Sequence, residues 1–274
     1  MSSKKYIVPH DFSIVGETAL NHAVKVAKTT GGVVHLLHVV AKPTQVEEAR
    51  EKLVNIARAA HKADGVQVEA IVRIGNIFDD IAEYCSEIKA ELVFMGTHGT
   101  KGWQKISGSY AMKVIESTFV PFIVVQQRKI KETGYDDIVV PLDLDKNTKQ
   151  KLRIVAEIAK YFNSKAHIVL PKTTDTDDKL DLNLNLAFAK KQLTEHGIQY
   201  STAFLEGDFT KEILNYSVAN DCDLIMIVNS SVEKIAGNLF ASSSEQAIIT
   251  NDAQIPVCLI NPKDLTTGGS AIFN

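Results

Sequence analysis

A chain of 274 residues is too long for one five-stranded sheet with its helices and suits two domains of about 100 to 150 residues each. Hydrophobic residues at 45% and charged residues at 23% describe a globular protein and argue against a disordered or coiled-coil chain. A net charge of -3, from 30 basic and 33 acidic side chains, offers no cationic field for a polyanion, so nucleic acid is not expected as a partner.

The N-terminal MSSKKYIVPHDFS lacks the apolar stretch of a signal peptide. No later run approaches the roughly 20 apolar residues of a membrane span, so no membrane partner is expected. The first half holds five apolar runs: YIVP, VVHLLHVV, VEAIVRI, ELVFMG and PFIVVQ. They are continuously apolar, as parallel strands buried on both faces should be. Between the first two, Leu20, Ala23, Val24 and Ala27 recur at the spacing of a helix with one buried face, and Ser13 stands ahead of them as an N-cap. After the fourth run, Gly96, Gly99, Gly102 and Gly108 precede a helical pattern through Ala111, Val114, Ile115 and Thr118 that begins near Ser109. RKIKETGY is charged and without apolar periodicity, and residues 129–134 within it read as a short linker.

The second half repeats the first at an offset of 132: Pro9 and Asp11 become Pro141 and Asp143, Gly65 becomes Gly197, and Gly75 becomes Gly207. Leu152, Val155, Ala156 and Ala159 repeat the helix, with Asp145 placed as its cap. The register shifts to 135 only at Pro121 and Pro256, which marks three extra residues in the second copy. Alternating strands and helices give the fold class: α/β, two tandem doubly wound domains over 1–128 and 135–262. Each carries a five-stranded parallel sheet of order 3-2-1-4-5 with helices on both faces. The tail over 263–274 has little to bury and is expected to be mobile.

In this topology ligands bind beyond the strand ends where the strand order reverses, between the first and fourth strands. PHDFS and GTHGTKG therefore face each other. Glycines let backbone N–H groups approach a ligand, and a helix N-terminus favours phosphate. The other reading of those glycines is a loop that needs tight turns. For Asp11 the alternative is a helix-entry carboxylate, and Asp143 persists in the second copy as a structural residue would. Lys101, Lys105 and Lys113 either neutralise phosphate or form a solvated face, and Trp103 reads as an anchor for the loop. His35 and His38 are three apart on a strand and point to opposite faces, so no metal site made by protein alone is expected. Cys85, Cys222 and Cys258 form no CxxC pair and suggest neither disulfides nor a thiolate zinc site. A reducing cytoplasm is the expected compartment.

IVPHDFS, HLLHVV, ELVFMGTHG, GSYAMKVI and VPFIVVQ, in this order and twice over, resemble the universal stress protein family. Members that bind ATP carry G-x2-G-x9-G-S/T after the fourth strand. Gly96, Gly99, Gly108 and Ser109 match its residue types, with eight residues rather than nine between Gly99 and Gly108. The resemblance implies that Asp11 contacts the adenosine, that Val39 lines the base pocket and that Met95 packs nearby. Pro9, His10, His98 and Tyr110 border the site. The ligand implied is an adenine nucleotide, ATP with Mg2+, held by a nucleotide-responsive module. A slow ATPase and a ligand-free interaction scaffold are the alternatives, and no P-loop, kinase or GxSxG motif indicates rapid chemistry.

In the second copy Val228 and Ser231 replace Gly96 and Gly99, Pro171 replaces Val39, and Ser243 and Ser244 stand opposite Gly108 and Ser109. One nucleotide per chain, in the first domain, is therefore expected. The alternative is a different anion site built from the serines of NSSV and ASSSEQ. The apolar fifth strands, FIVVQ and VCLIN, are expected at sheet edges, pairing with each other as an intramolecular pseudo-dimer, with a further homodimer open.

Overall fold

The computed structural model describes residues 3–97, 114–115, 118, 120–144, 146–149, 151–229 and 243–261. The chain divides into two compact units at Ile130 and Lys131.

In the first unit β1 (Lys5–Pro9), β2 (Val33–Val40), β3 (Val68–Ile74), β4 (Leu92–Gly96) and β5 (Phe122–Val125) form a parallel sheet of order β3-β2-β1-β4-β5. Right-handed crossovers put α1 (Ile14–Thr30) and α2 (Val46–Asp64) on one face, joined by a Lys28–Asp64 ion pair, and α3 (Ile77–Ile88) on the other. The sheet interior is the core, with Tyr6, Ile7, Leu36, Phe94 and Phe122 almost fully buried. Ser13 caps α1 by accepting from the Gly16 N–H at 3.3 Å.

The second unit repeats this with β6 (Asp137–Pro141), β7 (Lys165–Pro171), β8 (Gln199–Leu205), β9 (Leu224–Val228) and β10 (Val257–Ile260) in the order β8-β7-β6-β9-β10. Its helices are α4 (Leu152–Phe162), α5 (Thr176–Glu195), α6 (Phe209–Ala219) and α7 (Ser243–Ile249). The repeat reaches single contacts: His35 Nδ1 lies 2.8 Å from the Tyr84 hydroxyl, and His167 Nδ1 lies 3.0 Å from that of Tyr216.

One local expectation is corrected. The helix after β6 does not begin directly after Asp145, a position outside the described residues: a 3-10 turn spans Lys146–Lys149, and α4 starts at Leu152 without a side-chain cap. Helices α1 and α4 end at matching positions, so α4 lacks the first turns of α1. At the position of Gly96, where a Cβ would lie 2.4 Å from the Val15 carbonyl oxygen, β9 carries Val228. The segment read as a linker is tied down in each unit: the Arg128 carbonyl bonds to His22, Lys131 pairs with Asp221 and Asp223, and Tyr135 is buried.

Candidate functional site

The site is built at the C-terminal ends of β1, β2 and β4. β1 pairs with β2 through Pro9↔Leu37 but with β4 only at Tyr6↔Leu92 and Ile7↔Val93. Beyond Ile7 and Val93, β1 and β4 no longer pair, which is the switch-point gap of a doubly wound sheet. Side chains alternate along a strand, so Pro9, Val39 and Met95 share the sheet face of Ile7 and His35, the face α3 covers. All three are half-buried.

Past β1 the chain turns sharply. Phe12 has φ 64, a left-handed conformation unusual for an aromatic residue. The turn is held by its own side chains. Asp11 is exposed, and its Oδ1 accepts from the backbone N–H and the hydroxyl of Ser13. Asp11 thus does serve the entry of α1, and its Oδ2 accepts nothing among the described residues. The ring of Phe12 packs on His38 at 4.5 Å and on His10 at 5.6 Å between centroids.

His10 is the unusual member. The Phe12 N–H donates to its Nδ1 at 3.0 Å, which puts the proton of the neutral ring on Nε2. That Nε2 is the one buried side-chain nitrogen or oxygen among the described residues with no hydrogen-bond partner. Glu17 Oε1 lies 3.6 Å away, beyond hydrogen-bonding reach. Burial holds the His10 ring below the usual histidine range, against the attraction of Asp11 and with a smaller push from His38. Burial also raises the Glu17 carboxyl. The two are therefore not an ion pair at neutral pH, and a buried N–H donor is left without an acceptor, at a cost of about 1 to 3 kcal/mol. His38 adds a second fixed ring, donating from Nδ1 to the His10 carbonyl at 2.7 Å.

Two glycines make this packing possible. A Cβ on Gly96 would lie 2.4 Å from the Val15 carbonyl oxygen, and one on Gly16 would lie 3.0 Å from Asp11 Oδ1 and 3.2 Å from His10 Nε2. Gly96 thus lets the first turn of α1 rest on the end of β4, and Gly16 leaves the space into which His10 and Asp11 converge. By sequence Gly96 belongs to the loop, and Gly16, Glu17, Phe12 and His38 do not stand out as site residues. A readable sign existed, since a glycine in the first turn of an amphipathic helix costs about 1 kcal/mol relative to alanine and needs a reason.

Without those glycines the second unit is built differently. Val228 stands where Gly96 does, and α4 begins later. Thr148 stands at the Gly16 position, and its buried Oγ1 lies 3.4 Å from the Asp143 N–H and 3.5 Å from the Pro141 carbonyl. The Lys151 ammonium donates to the same hydroxyl at 3.2 Å from a buried position. Asn229 and Asn261 bond to each other at 2.9 Å, and Asn185 donates to the Asp143 carbonyl at 2.8 Å. The turn after β6 is thus held by the protein's own polar groups.

Of the residues read from the sequence, Pro9, His10, Asp11, Val39, Met95 and Gly96 lie around the gap. His98, Gly99, Gly108, Ser109 and Tyr110 lie outside the described residues, as do Lys101, Trp103, Lys105, Lys113, Ser231 and the 263–274 tail. All three cysteines are free and buried, and burial pushes the thiols of Cys85 and Cys222 up to about 12. No helix among the described residues is long and apolar enough to cross a membrane.

Fold and gap together define the class: a tandem α/β protein of two doubly wound units whose switch points have diverged. The sequence profile of the Universal stress protein family matches residues 3–126. A universal stress protein of Methanocaldococcus jannaschii is 30% identical over 143 residues, 46% of this chain and 84% of that relative. A second from the same organism is 27% identical over 157 residues, 46% of this chain and 96% of its own. A solved universal stress protein from Archaeoglobus fulgidus superposes with a TM-score of 0.74 across 95% of this chain and 97% of its own, at 18% identity, a likeness of fold. The chain belongs to the universal stress protein family.

Proposed function

We propose that the first unit binds one adenine nucleotide, ATP with Mg2+, at the gap between β1 and β4, and that the protein acts as a nucleotide-responsive module of the cytoplasmic stress response. The observation that carries this reading is the unpartnered Nε2–H of His10. It is a buried donor held beside the Asp11 carboxylate, with both groups converging on the space Gly16 leaves. An orphaned donor at a switch point is costly unless a ligand or ordered water answers it.

The chemistry of the donor set fits the nucleoside part. Asp11 Oδ2 can accept from ribose hydroxyls, and Pro9, Val39 and Met95 supply an apolar wall for a base. The phosphates fall to Gly99, Gly108, Ser109 and Tyr110, with His98 alongside and Mg2+ arriving as the counter-ion of the triphosphate.

Calorimetry of the full chain with ATP, with and without Mg2+, tests the reading. A stoichiometry near one is expected, lost in Asp11→Ala and in Gly99→Val with the circular dichroism spectrum unchanged. Two equivalent sites would overturn it, as would a signal that survives Gly99→Val but disappears in Ser244→Ala, or no heat with any adenine nucleotide.

A further inference from the structure

Helix α5 of the second unit is apolar on two sides. Leu182, Leu186, Ala189 and Leu193 turn inward and are buried. On the opposite side Leu180, Leu184 and Phe188 are 60%, 57% and 43% exposed. At about 100° per residue these three, with Asp177 and Lys191, fall within an arc of about 80°, so they form one stripe along the helix.

The stripe is peculiar to this unit. At the offset of 132, Leu180 and Leu184 correspond to Glu48 and Lys52 on α2, which form an exposed ion pair at 2.7 Å. The same two positions carry a solvated pair of charges in one unit and bare leucines in the other. Three large apolar side chains in a row on a helix face mark an interaction surface rather than the scattered exposure of ordinary surfaces.

The charges name the partner. If two copies of α5 lie antiparallel about a two-fold axis at Leu184, residue 184-k of one copy faces 184+k of the other. Leu184 then meets itself and Leu180 meets Phe188. At both ends Asp177 meets Lys191. Every apolar residue of the stripe finds an apolar counterpart, and Asp177 finds Lys191, which Glu195 of its own helix approaches at 3.9 Å. The opposed helix dipoles add to the match. A parallel pair would instead place Asp177 against Asp177 and Lys191 against Lys191. We infer that the exposed face of α5 is a self-association surface, which pairs with α5 of a second copy of this chain in antiparallel register centred on Leu184.

A single helix seam is smaller than a standard protein interface, so the dimer is expected to be weak, forming at roughly micromolar to 100 µM concentrations. Sedimentation of the full chain across that range should show reversible dimerisation. Leu184→Asp places two carboxylates face to face at the axis and should weaken the dimer by at least about tenfold. Asp177→Lys should weaken it at both ends, and Asp177→Lys combined with Lys191→Asp should restore it. Leu184→Cys should form an intermolecular disulfide under mild oxidation, because the native cysteines are buried. These positions are exposed, so the variants should keep the wild-type thermal transition. A chain that stays monomeric throughout overturns the inference, whether its own tail or another protein covers the stripe. A dimer indifferent to Leu184→Asp, a charge exchange that fails to restore it, or a Leu184→Cys dimer that does not cross-link overturns it equally.

Discussion

At the end of β1 the first unit has His10, Asp11 and, one turn on, Gly16; at the end of β6 the second has Leu142, Asp143 and Thr148. The sheets that carry them have the same strand order, and their first and fourth strands part company at matching positions. What differs is how the gap is occupied. In the first unit a helix start rests on a glycine, and a buried imidazole N–H is left without an acceptor. In the second a valine stands at that glycine's position, and the Thr148 hydroxyl, the Lys151 ammonium and the Asn185 amide are bonded at the turn after β6. Asp11 and Asp143 persist in both, and the carboxylate therefore does not by itself mark a ligand site. The discriminating residues are the small ones beside it.

The sharpest way to break this comparison is to give the first unit the second unit's residue. Gly96→Val drives a β-branched side chain into the Val15 carbonyl, and something must move. The expected cost is about 3 kcal/mol. Calorimetry should show nucleotide affinity falling by about a hundredfold, equivalent to about 2.7 kcal/mol. Val228→Gly should leave nucleotide stoichiometry at one. A Gly96→Val protein that binds as the wild type does would show that the helix–strand contact does not shape the site.

Acid should separate the two units next. His22 donates from Nε2 to the Arg128 carbonyl at 3.0 Å, and burial pushes its ring down to about 4 from 6.5. The unfolded ring takes up its proton first as pH falls. Stability contributed by the neutral buried ring is thus whole above about pH 6.5 and is lost on the way down to pH 4, a loss on the order of 3 kcal/mol. The corresponding residue of the second unit is Ile154, which cannot titrate. Hydrogen exchange resolved by peptide should show the first unit loosening between pH 6.5 and 4, with His22→Ile flattening that slope.

A smaller change acts on the site alone. Gly16→Ala puts a Cβ 3.0 Å from Asp11 Oδ1 and 3.2 Å from the His10 ring, and both neighbours are side chains able to shift. Helix propensity gains about 1 kcal/mol, which offsets the crowding, so thermal stability should barely move. Nucleotide affinity should fall about tenfold, or about 1.4 kcal/mol. Equal affinity in this variant would detach His10 and Asp11 from binding.

The mildest effect concerns an edge strand. Arg73 on β3 bonds to Asp80, Glu83 and Glu87 at 3.0, 2.9 and 2.8 Å, where the second unit has Leu205. Two of the three carboxylates are well exposed, and Arg73→Ala should cost only about 1 kcal/mol, less at high salt. Denaturant unfolding at two ionic strengths checks this.

Much of the molecule was legible from local pattern. The constant offset, the five apolar runs per half and the glycines at strand and helix ends report short-range physics: alternation, helical periodicity and backbone freedom. They determined the α/β class, the order of the strands and the neighbourhood of Pro9, His10, Asp11, Val39 and Met95. Tertiary structure decided what each residue does there. Gly96 is a loop glycine by its neighbours in sequence and a packing glycine by its contact with Val15, which is far away along the chain. The late start of α4, at Leu152, is not what the cap-type residue Asp145 announces. His10 is an ordinary turn residue until the backbone of Phe12 takes one nitrogen and burial isolates the other. Leu180 and Leu184 carry the helical spacing of core residues, and only the packing of Leu182 and Leu186 against their own unit shows which side of α5 is left for water or for a partner. Periodicity is written along the chain, whereas burial depends on which distant surface arrives, and that surface is set by the fold as a whole.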